Sequence, residues 1–303
     1  MKFTIDYHPT SADGGVWNDP ANICEYVQVA EAAGFDAVTA TDHPAPSKKW
    51  LDHGGHETFD PFVVLMLMAA ATTRLRVMTH LVVAPYRNPF VSARSMASLD
   101  RLSGGRATFV LGTGYLRSEF AALGVEFEER NDLLDEAAEV IRGAWTDDDF
   151  HYAGQHFNAF GVKMLPGPVQ QPYPPLWVGG NSAAARRRVA AWAQGWAPLL
   201  GSAQLARTAR TPIISTDKDL ARLIAGIKDS MAEQGRDPSV LDVSWGGVSA
   251  PAAGASTAEQ LDHVGHLAEI GVTWTPCRIP WTSFPATLDA IRAYGDEVIA
   301  PSR

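Results

Sequence analysis

The feature that most constrains the fold is a regular alternation of short β-rich runs and longer amphipathic runs along almost the whole chain. Eight strand–helix pairs can be counted, and no clear linker, charge block or low-complexity tract separates them. Strands that alternate with helices predict a parallel sheet with right-handed crossovers. Eight such units favour a single-domain α/β fold, a closed (β/α)8 TIM barrel over residues 1–303, with an open doubly wound sheet as the alternative.

The elements follow from hydrophobic periodicity and from residues that begin or end helices. Asp60 and Pro61 are typical of a helix start, and Gly34 is typical of a helix end. The predicted strands cover residues 3–7, 36–40, 76–82, 106–112, 175–179, 196–200, 241–247 and 272–276. The predicted helices cover residues 20–33, 61–72, 89–102, 130–145, 183–193, 217–234, 257–269 and 284–298.

One segment breaks this rhythm. Residues 150–175, FHYAGQHFNAFGVKMLPGPVQQPYPP, are rich in glycine, proline and aromatic residues and have no helical period. We interpret them as a hairpin and loop inserted at about 146–174, between the fourth helix and the fifth strand. Because long insertions in compact domains are usually functional, we expect the hairpin to cover the substrate as a lid.

Composition narrows the range of partners. The chain carries 25 Lys and Arg against 34 Asp and Glu, a net charge of −9 that suits neither nucleic acid nor anionic lipid. The longest apolar run, residues 62–71, is roughly half a membrane span. No secretory leader is visible at the start of the chain, and Cys24 and Cys277 form no CxxC motif. We therefore expect a cytoplasmic protein that acts on a small-molecule substrate, without nucleic acid or membrane partners.

In a barrel, active sites collect where the strands end at their carboxyl termini. Polar or glycine-rich residues follow four successive predicted strands, which outlines half of a ring large enough for a cofactor. They are Asp42 and His43 after the second strand, Thr79 and His80 at the third, Gly112, Thr113, Gly114 and Tyr115 after the fourth, and Gly179, Gly180, Asn181 and Ser182 after the fifth, while Trp274 and Arg278 lie near the eighth.

Two of these strand ends contain glycine-rich turns. After the fifth strand, two glycines and a helix that opens with Asn181 and Ser182 leave free N–H groups at a positive helix terminus, which predicts phosphate binding with help from an arginine at 186–188. The alternative is an ordinary capped turn with solvated arginines. After the fourth strand, Arg117 replaces the third glycine of GxGxxG, which excludes the Rossmann motif. The turn at 112–114 then either approaches a ligand closely or is structural.

Candidate catalytic groups are few. His43 suits proton transfer near neutral pH, although a structural role is the alternative. No GxSxG, GxxxxGK[ST] or HExxH motif occurs. His53, His56 and Glu57 could hold a metal, but we favour a flexible polar loop there and predict no metal site.

With these motifs in view, the chain resembles the luciferase-like monooxygenase superfamily. The stretch HLVVAPYRNPFVSARSMASLDRLSGGRATFVLGTGY at 80–115 is similar to its signature region. AGFDAVTATDH at 33–43, PPLWVGGNS at 174–182 and GWAP at 195–198 match further strands in the right order. The resemblance covers roughly residues 1–200 and only the βα rhythm beyond.

The resemblance implies a barrel that binds coenzyme F420 or FMN at its carboxyl end, and the Asp-His pair is similar to the F420-dependent branch. It implies that His43 lies by the reactive carbon of the coenzyme and that a cis peptide bond joins Thr79 to His80. It places Tyr115 where the related sugar-phosphate dehydrogenase has a glutamate, so Tyr115 could donate a proton or stack on a ring. The implied coenzyme-binding residues are Asp42, Thr79, His80, Gly112, Thr113, Gly114, Ser118, Gly179, Gly180 and Asn181.

Three hypotheses about function follow. The first is an F420-dependent oxidoreductase that transfers hydride between the deazaflavin and a small organic substrate. The second is an FMN-dependent two-component monooxygenase, which needs a flavin reductase as a partner. The third is a barrel that binds coenzyme without catalysis. A homodimer is what the resemblance implies for the assembly.

Overall fold

The fold is a parallel barrel. A computed structural model of the chain describes residues 1–201, 203–248, 250–252 and 255–303. The strands are β1 (Lys2–Asp6), β2 (Ala37–Ala40), β3 (Arg76–Val83), β4 (Ala107–Gly112), β5 (Phe150–Ala153), β6 (Asn158–Val162), β7 (Leu176–Gly179), β8 (Gly195–Ala197), β9 (Asp242–Val243) and β10 (Trp274–Pro276). Eight of them form one parallel sheet in the order β10-β1-β2-β3-β4-β7-β8-β9.

The two outer strands of that sheet meet and close it. A parallel bridge joins Ser244, just after β9, to Trp274 in β10. The N–H of Trp245 also donates to the carbonyl of Trp274 over 3.0 Å. The predicted TIM barrel is therefore confirmed, and the open doubly wound sheet is excluded.

All eight predicted helices are present. The helices are α1 (Pro20–Ala32), α2 (Lys48–Leu51), α3 (Pro61–Ala71), α4 (Pro89–Leu102), α5 (Arg117–Ala122), α6 (Arg130–Thr146), α7 (Ala183–Ala191), α8 (Ala203–Thr208), α9 (Asp217–Glu233), α10 (Thr257–Glu269) and α11 (Phe284–Tyr294). The short helices α2, α5 and α8 were not predicted, because four to six residues are too few to show a helical period. None of the helices in the described part of the chain combines the length and hydrophobicity that crossing a bilayer requires.

Three predicted elements are shorter than expected. The strand predicted at 196–200 ends at Ala197, because Pro198 has no N–H to continue the ladder. The strand predicted at 241–247 is reduced to β9, and Gly247 beyond it has a φ of +80°. The last helix ends at Tyr294 and continues as one π-helical turn. The remaining ends differ from the predictions by at most two residues.

Side chains fill the barrel in two layers. Inside the strands, Ala37, Met78, Val110, Trp177, Ala197 and Trp274 form one buried cluster. Between the strands and α1, α3, α4 and α6 lies a larger apolar cluster that includes Phe3, Val77 and Leu134. The interior is thus a packed core rather than a channel, and a ligand has to bind at one of its two ends.

The inserted segment is an antiparallel hairpin of β5 and β6. Tyr152 donates to Glu139 of α6 over 3.2 Å, and the N–H of His156 donates to Glu136 of the same helix over 3.0 Å. The chain then returns past α4, where Arg101 donates to the carbonyl of Gly167 over 2.7 Å. These contacts hold the hairpin along the outside of α6, and His156 at its tip lies 3.5 Å from Glu129 at the start of that helix. The expectation that the hairpin covers the substrate stays a prediction.

A cavity of about 640 Å³ opens at the amino end of the barrel. Lys2, Arg76, Asp242, Trp177 and Trp274 are among its lining residues. Lys2 lies 3.6 Å from Asp242, and Arg76 donates to the carbonyl of Ala107 over 2.8 Å. In TIM barrels this face carries stability and the opposite face carries chemistry. We therefore expect the functional site at the carboxyl end, in spite of the size of this cavity.

Candidate functional site

The end of β2 contributes a buried anchor. Asp42 is 2% exposed, and its carboxylate accepts bonds from both Nη atoms of Arg87 at 2.6 and 2.8 Å. It also accepts the N–H of Val83 over 3.0 Å. Asp42 was predicted to bind the coenzyme. In this structure its carboxylate fixes the end of β3 beside β2, and a contact with coenzyme stays a prediction.

His43, the next residue, is held by a carboxylate that the sequence analysis missed. Glu119 in α5 is fully buried, and its Oε2 lies 3.2 Å from Nδ1 of His43. The hydroxyl of Tyr86 donates to the same oxygen over 2.8 Å, and the N–H of Ala45 donates to Oε1 over 3.3 Å. A carboxylate accepts hydrogen bonds only, so Nδ1 of His43 carries the proton in this contact, and Nε2 is the ring nitrogen that Glu119 does not contact.

Aromatic and imidazole rings surround His43. The ring centroids of Trp50, His56 and Tyr115 lie 4.4, 5.2 and 6.0 Å from that of His43. Burial, followed by the nearby charge of Glu119, raises the pKa of Tyr115 to about 12. The Tyr115 phenol therefore stays protonated at neutral pH and can donate a hydrogen bond. The structure thus brings both predicted catalytic residues, His43 and Tyr115, into one cluster.

Two further histidines complete this cluster. Burial first, then repulsion from His43 and His8, lowers the pKa of His56 to about 4, so its ring is neutral at pH 7. His8 follows β1, and its ring lies 5.5 Å from that of His56. The Nδ1 atom of His8 is buried and finds no hydrogen-bond partner among the described residues. A buried polar atom without a partner is costly, so His8 is a further candidate for contact with a ligand.

The three residues considered for a metal do not act together. His53 is exposed and its Nδ1 bonds with the carbonyl of Lys49 over 2.7 Å. Glu57 turns instead to Ser11, whose N–H it accepts over 2.9 Å. Only His56 faces the ring cluster. Within the described ranges, no group of His, Cys, Asp or Glu side chains has the arrangement that a metal ion needs.

The end of β3 differs from the prediction by one residue. The cis peptide bond joins His80 to Leu81, not Thr79 to His80. Thr79 still pairs regularly with Phe109 of β4, and the register shifts only between Thr79 and Val82. The hydroxyl of Thr79 is buried and accepts the N–H of Val110 over 3.0 Å. The irregular backbone therefore begins at His80, a half-buried residue at the mouth of the barrel.

The glycines at the ends of β4 and β7 make room for Leu81. A Cβ atom on Gly112 or on Gly179 would lie 2.4 Å from a methyl group of Leu81. At these two positions the missing side chain therefore serves packing. The half-buried Thr113 and Gly114 follow in the turn, and Ser118 is exposed in α5.

Gly180, by contrast, faces open space. It has a φ of +97°, and a Cβ atom there would meet nothing within 4 Å. Asn181 is buried, donates to the carbonyls of Leu199 and Pro212 at 2.9 and 2.8 Å, and so fixes the neighbouring loops. Ser182 caps α7 by accepting the N–H of Ala185 over 3.1 Å. The N–H of Gly180 donates to the carbonyl of Ala197 over 3.0 Å, and that of Asn181 donates to the hydroxyl of Thr211 over 3.1 Å. Phosphate binding there therefore depends on the first turn of the nine-residue helix α7 and stays a prediction.

The three arginines near this turn have different surroundings. Arg188 is buried against Asp135, with Nε 2.6 Å from the carboxylate, and is not available to a ligand. Arg186 donates to the carbonyl of Asn181 over 2.5 Å and lies beside the turn. Arg187 is exposed.

Comparison with known proteins shows the family of the chain. Residues 2–270 match the sequence profile of a family described as luciferase-like monooxygenase. An F420-dependent hydroxymycolic acid dehydrogenase of Mycobacterium tuberculosis is 31% identical over 221 residues, which are 71% of this chain and 55% of that protein. An FMNH2-dependent dimethylsulfone monooxygenase of Pseudomonas putida is 29% identical over 172 residues, 54% of this chain and 46% of that one.

The fold is also similar to solved structures. A monooxygenase from Streptomyces bottropensis superposes with a TM-score of 0.82 at 20% identity, over 100% of both chains. At that level of identity the likeness concerns the fold alone. It extends over β8 to β10, where the sequence showed only the βα rhythm.

Proposed function

Because the chain belongs to the luciferase-like monooxygenase family of oxidoreductases, we propose that it is an F420-dependent enzyme that transfers hydride between the deazaflavin and a small organic substrate. The observation that carries this proposal is the placing of His43 at the mouth of the barrel, where the buried Glu119 holds its Nδ1 and leaves Nε2 for a substrate. The F420-dependent relative in Mycobacterium tuberculosis supports the choice of coenzyme.

The residues at the carboxyl end fit a coenzyme of this kind. Nδ1 of His8 is buried without a partner among the described residues, and Gly180 leaves open space before the amino end of α7. The ring cluster around His43 would flank the deazaflavin, and the backbone of Thr113 and Gly114 would lie along it. The first turn of α7 would hold the phosphate. When bound, the deazaflavin supplies or accepts the hydride.

The side chains of this site then handle the proton. Nε2 of His43 takes a proton from a substrate hydroxyl, or returns it to a carbonyl, while Glu119 keeps Nδ1 protonated. Tyr115 remains a phenol at neutral pH and donates a hydrogen bond to the substrate oxygen. The Trp50 ring against His43 excludes water from one side. General acid–base assistance of this type contributes about 10²- to 10⁴-fold to a rate.

An FMN-dependent monooxygenase is the second candidate. The dimethylsulfone monooxygenase relative favours it, since its name gives reduced FMN as the coenzyme. In that case a flavin reductase is the partner that supplies reduced coenzyme. The phosphate-binding turn at Gly180 serves both coenzymes equally.

The test is binding of F420 and of FMN to the purified protein, followed by coenzyme fluorescence and calorimetry at equal concentrations. We expect micromolar or tighter binding of F420 and at least about tenfold weaker binding of FMN. The reverse order would overturn the proposal in favour of the monooxygenase. Binding of F420 with no turnover across a broad panel of alcohols and carbonyl compounds would favour a non-catalytic coenzyme-binding barrel.

We further propose a homodimer that uses exposed apolar side chains on α3, α4 and the inserted segment. Val63 is 70% exposed, Val91 60%, Phe160 85% and Leu165 66%. Isolated exposed apolar residues are ordinary, but several on neighbouring elements are typical of an interface. Light scattering coupled to size exclusion should give about twice the chain mass, and Val91→Lys should shift it toward the monomer.

A further inference from the structure

We propose that an arginine cluster, formed by Arg117, Arg130 and Arg210, binds the oligoglutamate chain that coenzyme F420 carries beyond its phosphodiester. This inference rests on the proposed function and deepens it, because it assigns residues to a part of the coenzyme that FMN lacks.

The cluster surrounds one aromatic ring. The guanidinium carbons of Arg117, Arg130 and Arg210 lie 4.1, 3.9 and 5.2 Å from the ring centroid of Phe127, which is 5% exposed. Cation–π contacts hold each guanidinium in place, yet three like charges on one ring repel each other. Such an arrangement is prepared for an anion.

The carboxylate present offsets only part of this charge. Glu128 forms a very close contact with Arg117 and lies 3.5 Å from Arg130, and its side chain is 62% exposed. Two further carboxylates lie beside Phe127 in the sequence: Glu126 accepts the N–H of Glu128 over 3.2 Å, and Glu129 lies 3.5 Å from Nε2 of His156. Among the described contacts, Glu128 is thus the carboxylate that pairs with the arginine cluster.

The cluster lies between the two loops that form the coenzyme site. Arg117 begins α5, directly after the turn at 112–116 that follows β4. Arg210 precedes Thr211, whose hydroxyl accepts the N–H of Asn181 over 3.1 Å. Asn181 leads into the amino end of α7. An anionic chain that leaves a phosphate bound at α7 therefore meets the arginine cluster next.

The backbone at Arg210 fixes where its side chain leaves the chain. Its φ is +50°, and it is the single non-glycine residue with a positive φ in the part of the chain that the structure describes. A left-handed residue just after a helix is a common helix end, and here it follows α8. Bonds from the N–H of Arg210 to Arg207 and from that of Thr211 to Ala206, at 3.2 and 3.0 Å, hold this turn. The Arg210 side chain is exposed and available to a ligand.

The chemistry of the two coenzymes makes the cluster selective. FMN ends at a single phosphate, whereas F420 continues into a chain of glutamate carboxylates. Planar guanidinium groups pair with carboxylates through two parallel hydrogen bonds. The arginine cluster is therefore expected to favour F420 over FMN through contacts remote from the reactive ring.

The experiment compares coenzyme fragments. Dissociation constants are measured by deazaflavin fluorescence for F420 with its oligoglutamate chain and for F420 cut back to its lactyl phosphodiester. The proteins are the wild type, the double variant Arg117→Gln/Arg210→Gln and the double control Arg222→Gln/Arg292→Gln. Arg222 in α9 and Arg292 in α11 are exposed and donate to Asp219 and Asp289 at 2.7 and 2.8 Å, so the control removes the same two positive charges elsewhere on the surface.

We expect the wild type and the control to bind the long-tailed coenzyme about tenfold more tightly than the shortened one. The double variant should lose this preference while its affinity for the shortened coenzyme changes less than about twofold, and added salt should weaken only the preference. Equal binding of both forms by the wild type, or a preference that persists in the double variant, would overturn this inference and leave the proposed function standing. Failure to bind either deazaflavin would overturn both.

Discussion

The two ends of the barrel are formed by the same strands but carry different groups. At the amino end, charged groups satisfy one another, as Lys2 does with Asp242, although Nε1 of the buried Trp274 lacks a partner among the described residues. At the carboxyl end, His8 and Gly180 leave a buried nitrogen and an open turn facing the mouth of the barrel. A cavity of about 640 Å³ lies at the amino end. Free volume and unpartnered polar atoms thus do not by themselves distinguish the two ends, and the difference lies in the groups that can move a proton, His43 and Tyr115, which are at the carboxyl end.

The largest effect should follow from removing the base at the carboxyl end. His43→Ala is expected to lower turnover about 100-fold or more while coenzyme affinity changes little, because proton transfer is lost and the phosphate contacts are kept. The measurement is the rate of coenzyme reduction with the first substrate found by screening, together with coenzyme fluorescence. His266→Ala, at a half-exposed histidine that contacts Asp217 at 3.5 Å, is the control. Unchanged turnover in His43→Ala would show that His43 does not supply the base at the carboxyl end.

The second-largest effect should be a loss of stability on removing a guanidinium at the amino end. The guanidinium of Arg106, just before β4, donates five hydrogen bonds of 2.7 to 3.2 Å to Ser103, Thr72, Leu75 and Ala69. Arg106→Met leaves these acceptors without partners and should lower the free energy of unfolding by about 3 kcal/mol, with coenzyme affinity unchanged. Urea unfolding measures it. Arg101→Met, at an exposed arginine with one bond to Gly167, should cost less than about 0.5 kcal/mol. A loss below about 1 kcal/mol for Arg106→Met would show that this end is not the stabilising one.

The smallest expected effect is a change in how the free energy of unfolding depends on pH. The pKa of His56 is about 4 in the folded protein, below the ordinary value of about 6.5, so the unfolded chain binds a proton first as pH falls. The stability that neutral His56 retains above pH 6.5 is therefore lost progressively between pH 6.5 and pH 4, by about 1–2 kcal/mol after allowance for its partial exposure. His56→Asn should unfold in urea with a flatter pH dependence than the wild type. His53→Asn, at an exposed histidine, should retain the wild-type slope.

Sequence reasoning reached the fold because the signal for a barrel is local. Each strand–helix pair shows its own periodicity, and Asp60 with Pro61 marks a helix start at α3 as predicted. The candidate residues His43 and Tyr115 came together for the same reason, since both follow strands that end on one face. Whether they act on a coenzyme stays a prediction.

What could not be predicted depends on contacts between distant segments. Glu119 meets His43 across 76 positions of sequence, and α5 is too short to show a helical face. His8 directly follows the predicted strand at 3–7. Its position therefore pointed to the carboxyl end of the barrel, although the sequence analysis did not include it among the candidate residues. The cis bond was misplaced by one residue, because the register between β3 and β4 breaks after Thr79 and pairing register is invisible in a single sequence.

The inserted segment connects the two ends of the barrel. After the hairpin, Gln170 donates to Asp100 over 2.6 Å and accepts from Arg76 over 3.2 Å, so the segment braces the floor of the barrel. At its other end the same segment reaches the start of α6, where Nε2 of His156 lies 3.5 Å from Glu129. One insertion therefore ties the amino end of the barrel to the carboxyl end along the outside of α6, so a deletion that removed it would loosen both ends together.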